Sequence, residues 1–151
     1  MMSEGKKIKV YLAGSFVPWA SYLDWRNYIK ERLGHAIDFY DPRKNTNQIS
    51  IAHFVYEDLE RGVAESDLVF YFVTNVGDVG ASAECAFGIA KGKFVVLCVN
   101  NDVKMVHPFT LGMGKRVFIG LDAGMVYLRN LVKYGLEDES KAIYATMKEL
   151  G

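Results

Sequence analysis

At 151 residues the chain has the length of one ordinary domain, and with half its residues hydrophobic and 24% charged it is neither a disordered polymer nor a fibrous repeat. Eighteen basic side chains balance eighteen acidic ones without a Lys/Arg block, so the electrostatic footprint of a nucleic-acid binder is missing. No apolar run approaches the roughly 20 residues of a membrane-spanning helix, so no membrane partner is expected.

The opening "MMSEGKKIKV" has no signal-peptide pattern and runs directly into "KIKVYLAG" (7–14), a predicted strand ending in a Gly turn. Residues 19–33 predict a helix with Trp19, Leu23, Ile29 and Leu33 inward, stopped by Gly34. "AIDFYD" (36–41) predicts a second strand, closed by Pro42, and the polar stretch 43–48 a loop. Ser50 is placed to N-cap a helix over 51–65. "DLVFYFVT" (67–74) is apolar on both faces, as a central parallel strand is. A helix over 82–91 and a strand over 93–99 follow, with Gly92 between them. Pro108, Gly112 and Gly114 interrupt 100–114 before a short strand at 116–121, and helices near 123–134 and 138–150 end the chain.

This alternation implies βαβ units and an α/β fold in one domain spanning 1–151: a doubly wound, mostly parallel five-stranded sheet with helices on both faces, of flavodoxin or Rossmann type. Ligands of such sheets bind beyond the carboxyl ends of the strands, at a topological switch point. The loops of interest are therefore 13–18, 42–48, 75–82 and 100–114. Cys85 and Cys98 lie on different elements without metal-ligand spacing and read as buried, reduced thiols of a cytoplasmic protein. His53 and His107 likewise lack metal spacing, so no metal or other cofactor is expected.

Two carboxylates are out of place for a purely structural chain. Ile51, Phe54, Val55 and Gly62 form a stripe at helical spacing, and Asp58 falls within it. Burial there would raise its pKa and suit a general acid; an Asp at the stripe's edge that caps a loop or meets an Arg is the alternative. Glu84 falls in the first turn of the predicted 82–91 helix, where free N–H groups favour an anion and hence a nucleophile. An ordinary helix-start Glu reads the same way. An acid and a nucleophile with divergent environments form the pair that glycosidic bond cleavage requires. Small residues around them, Gly14, Ser15 and Gly80, allow close approach of a ligand to the backbone. Phe16, Trp19, Trp25 and Phe87 are available to wall a pocket.

"VYLAGSF", "EDLERGVAESDLVFYFV" and "DVGASAECAFGIAKGKFVVLCV", in this order, resemble the nucleoside 2-deoxyribosyltransferase family over about residues 8–112. The resemblance implies that Glu84 is the nucleophile attacking the anomeric carbon, that Asp58 assists the departing base, and that Tyr11 stands near the nucleophile. It also implies that Asp78 holds the sugar's 5′-hydroxyl. The base-reading loop "DPRKNTNQ" offers Asn45, Thr46, Asn47 and Gln48. Where the family's transferases carry an Asn that reaches into a neighbouring subunit's site, this chain has Thr110. A homo-oligomer built from dimers, up to a hexamer, is implied, with nucleosides and free nucleobases as the other partners. Sister enzymes hydrolyse nucleoside 5′-monophosphates, but Asp78 would repel a phosphate and Val17 stands where an Arg would bind one. A nucleotide-binding module without catalysis is a further alternative on such a fold.

Overall fold

The computed structural model describes residues 6–15, 24–46 and 50–151. Five strands carry the β-branched and aromatic runs: β1 (Ile8–Ala13), β2 (Ile37–Tyr40), β3 (Leu68–Val73), β4 (Phe94–Val99) and β5 (Arg116–Ile119). They form one sheet in the order β2-β1-β3-β4-β5, and all four pairings are parallel. All six residues of β3 are buried, because this central strand is covered on both faces.

The alternating side chains of β3 divide the core in two. Phe70 and Phe72 face α1 (Trp25–Leu33) and α6 (Leu121–Tyr134), packing with Trp25, Ile29, Tyr127, Leu128 and Leu131. Ala142 of α7 (Glu139–Leu150) joins this cluster. Val69 and Tyr71 face the opposite layer, packing with Tyr11, Val63, Ala81 and Cys85. That layer holds α3 (Ile51–Tyr56), the wider π-helical segment Glu57–Val63 that continues it, and α4 (Val79–Ala90). Two short helices, α2 (Pro42–Asn45) and α5 (Pro108–Met113), sit in the loops after β2 and β4. The sheet is thus flanked by helices on both faces, in a Rossmann- or flavodoxin-like arrangement. Since β1 has β2 on one side and β3 on the other, the switch point lies between the carboxyl ends of β1 and β3.

Two expectations change. The 51–65 helix divides at Tyr56–Glu57, and α3 buries none of its residues: Ile51 is 76% and Val55 44% exposed. Burial begins in the π-helical segment with Asp58, Gly62 and Val63, because widening the turn rotates a different face onto the sheet. The 82–91 helix starts three residues earlier, since the side chain of Asp78 accepts a hydrogen bond from Ala81 N and caps it. Glu84 therefore lies in the second turn, away from the free N–H groups of the first. Of the residues expected inward on 19–33, Ile29 and Leu33 are buried, while Trp19 and Leu23 lie outside the described residues.

Candidate active site

Tyr11, near the carboxyl end of β1, is fully buried and directs its hydroxyl at the α4 layer, donating a hydrogen bond to Glu84 Oε2. Two neighbours fix its ring. Tyr40 stacks on it with centroids 5.4 Å apart, and Gly62 leaves the space the ring occupies. A Cβ on Gly62 would stand 2.5 Å from Tyr11 Cε2. Burial and the carboxylates of Glu84 and Asp58 hold the Tyr11 hydroxyl far above its usual range, so it remains a donor throughout the accessible pH range.

Burial also pushes the Glu84 carboxyl up to about 8; the Tyr11 bond opposes the shift, and the nearby charge of Asp58 adds to it. This departs from the expectation of an environment that favours the ionised carboxylate. That expectation rested on a place in the first helical turn, and the cap at Asp78 moves Glu84 one turn further in, where burial raises its pKa.

Asp58 is 8% exposed and accepts a 2.6 Å hydrogen bond from Thr46 Oγ1. With that proton directed at the carboxyl, Tyr40 donates in turn to Thr46 over 2.7 Å. Burial raises the Asp58 pKa, Thr46 offsets part of the rise, and the neighbouring Glu57 adds to it. Asp58 thus has the raised pKa expected of it, although the apolar stripe that led to it faces outward over its first turn.

A buried cation braces this arrangement. Arg26 is 1% exposed, and its guanidinium donates to the carbonyl oxygens of Leu12, Gly14 and Ser15, fixing the turn after β1. Burial lowers its pKa to about 10, which still leaves it charged. Asp41 lies 3.8 Å away and also binds Lys30 and Arg43. Burial alone would raise Asp41, but hydrogen bonds from Arg43 and Lys30 hold it well below the usual carboxylate range. Asp41 caps α2, the single turn that delivers Thr46 to Asp58. Ion pairing beneath the site therefore sets the position of a hydroxyl within it.

The remaining expected residues divide. Gly14, with φ +148°, passes so close to Trp25 that a Cβ would stand 2.9 Å from Cζ2. The Ser15 carbonyl is held by Arg26, and Gly80 is exposed in the first turn of α4. Asp78 uses Oδ1 as the α4 cap, and its own N–H donates to Tyr71 Oη at 2.8 Å. Asn45 is exposed and closes its own loop, its Oδ1 accepting from Asp41 N at 2.9 Å, while Thr46 reaches Asp58. Gln48 and Asn47 lie outside the described residues, as do Phe16, Val17 and Trp19. Thr110 is buried in its own subunit, 3.4 Å from Ser82 Oγ, so its hydroxyl is directed at α4 of the same chain. His107 caps α5 through Nδ1, and His53 pairs with Glu57.

Arg26 was missed as a sequence feature, although the signal that exposed Asp58 applies to it. It is a charged residue beside Trp25 on the helix face that continues through Ile29 and Leu33. Compared with protein-family models and with curated proteins, the chain matches none of them.

Proposed function

We propose that the protein is a nucleoside 2-deoxyribosyltransferase working through a covalent glycosyl-enzyme. The observation that supports this reading best is the convergence of Tyr11, Glu84 and Asp58 at the switch point, with Tyr11 bonded to one carboxyl and sensing the charge of both. A Glu84 oxygen attacks C1′ of the deoxyribose while the C1′–N bond to the base breaks. Asp58, whose pKa burial raises, gives its proton to the departing base nitrogen. A second base then attacks C1′, Glu84 leaves, and Asp58 recovers a proton from the incoming base; water in place of that base gives hydrolysis. Tyr11 keeps its proton and orients Glu84 through Oε2. Only the ionised form of Glu84 is nucleophilic, so activity rises with pH towards an inflection near 8.

Asp78 retains one carboxylate oxygen beyond its capping bond, enough to accept a 5′-hydroxyl proton. The same negative charge disfavours a 5′-phosphate, so the nucleoside is the preferred substrate over its monophosphate. Assembly into a dimer-based homo-oligomer belongs to this reading. It is supported by the exposed apolar side chains Val76, Val79, Met105, Phe109 and Leu111 around α4 and α5, and not by Thr110, which faces its own subunit.

Incubating a deoxynucleoside with a second free base, with chromatographic detection of the new nucleoside, tests the reaction. Intact-protein mass spectrometry of the same mixture should reveal a deoxyribosyl adduct that Glu84→Ala lacks. Absence of both base exchange and base release would remove the proposal.

A further inference from the structure

On the opposite face of the sheet from Glu84 lies a cavity of about 360 Å³ at the carboxyl ends of β3, β4 and β5, within the roughly 300–1,000 Å³ of small-molecule sites. Trp25, Tyr28 and Phe72 supply aromatic walls, and Asn100, Asn101 and Asp122 supply polar atoms. Asn100 is the informative residue. Its backbone is satisfied on both sides, N–H to Val73 O and C=O from Val103 N, each at 2.9 Å. Its side chain is nine-tenths buried, yet the carboxamide has no hydrogen-bond partner among the described residues. Every fully enclosed side-chain polar atom among the described residues has a partner, so this carboxamide keeps its access through the cavity it lines.

The polar groups define a ligand. A carboxamide offers one donor face and one acceptor face. The N-terminus of α6 opens on the same cavity without a side-chain cap, so its first N–H groups add donors. Asp122, in that first turn, spends Oδ1 on the Tyr28 hydroxyl at 2.8 Å and retains Oδ2 as an acceptor. Its charge opposes an anion at the helix terminus, and the described residues contain no cluster of metal-ligating side chains. Aromatic walls with donors and acceptors along one rim fit an uncharged planar heterocycle. We infer that this cavity is a second, non-catalytic binding site for a nucleobase, free or carried on a nucleoside, read through Asn100. The inference does not rest on the proposed transferase chemistry, in which Asn100, Asn101 and Asp122 take no part.

Isothermal titration calorimetry of the full chain with adenine and with cytosine tests this. At least one base should bind saturably, and equally well to an Asp58→Asn/Glu84→Gln variant, which separates this site from the carboxylate site. Asn100→Leu should weaken binding at least tenfold, and Ala123→Phe, which fills the cavity from α6, should abolish it; Asn100→Gln, keeping the amide, is the control if either variant melts early. Adenosine and AMP identify the source of the base. Inorganic phosphate should not compete. Lack of binding by either base, binding indifferent to both cavity variants, or displacement by phosphate would overturn the inference.

Discussion

Replacing Glu84 by Gln separates the burial of that carboxyl from any question of catalysis. Gln keeps the shape and still accepts the Tyr11 hydrogen bond, but has no proton to lose. An ordinary Glu ionises near 4.5 in the unfolded chain, whereas in the folded protein burial raises Glu84 to about 8. Below pH 4.5 both states hold the proton and the stabilisation from the raised pKa is fully present. As pH rises from about 4.5 to 8 the unfolded chain releases the proton while the folded protein retains it, and folding stability falls by about 1.4 kcal/mol per pH unit. Above 8 the loss is complete, with a ceiling of about 5 kcal/mol over the interval. Relaxation around the anion reduces this, so a difference of about 2–4 kcal/mol between variant and wild type at pH 8.5 is expected, or roughly 5–15 °C in Tm for a domain of this size. Thermal melts of both proteins between pH 4.5 and 9 should nearly coincide at the acid end and diverge steadily, with Glu84→Gln the more stable. Parallel curves would refute the buried, protonated Glu84.

Three further outcomes follow from the same geometry. Asp58→Asn should slow nucleosides with poor leaving bases at least tenfold more than those with activated aglycones, read as a ratio of kcat values; equal losses would assign Asp58 a structural role. Gly62→Ala drives a methyl group into the Tyr11 ring and should cost about 1–3 kcal/mol in denaturant unfolding. That variant should also alter the ultraviolet absorbance of the Tyr11–Tyr40 stack. Thr46→Val removes the donor that lowers Asp58, so the alkaline limb of the kcat profile should move to higher pH while Thr46→Ser restores it; an unmoved limb in Thr46→Val would separate Thr46 from the acid.

Much of the sheet was legible because each strand is a short apolar run closed by Gly, Pro or a polar turn. Ile8–Ala13, Leu68–Val73 and Phe94–Val99 fall within the predicted 7–14, 67–74 and 93–99 segments. Helix boundaries were less legible where small residues blur them. Val79 and Gly80 read as loop, but Asp78 caps them into α4, and one turn of displacement reverses the electrostatic argument for Glu84. The π-helical segment was illegible, because periodicity alone does not distinguish a wide turn from a regular one. Asp58 was found by a stripe that itself faces solvent at Ile51 and Val55; the charged residue was informative even though the geometry assigned to it was wrong. Thr46 was available only as one of four polar loop residues. Its role depends on Asp41, Arg43 and Lys30 meeting across two elements, which no local pattern encodes.

The arginine beneath the site grips the turn after β1 through three main-chain oxygens, those of Leu12, Gly14 and Ser15. Every amino acid supplies the same carbonyl, so the path of that turn is decoupled from the identity of the side chains along it. Arg26→Lys, with no planar fork to span the three carbonyls, should therefore loosen the whole turn. The scaffold that fixes this turn thus resides on α1, outside the loop it shapes.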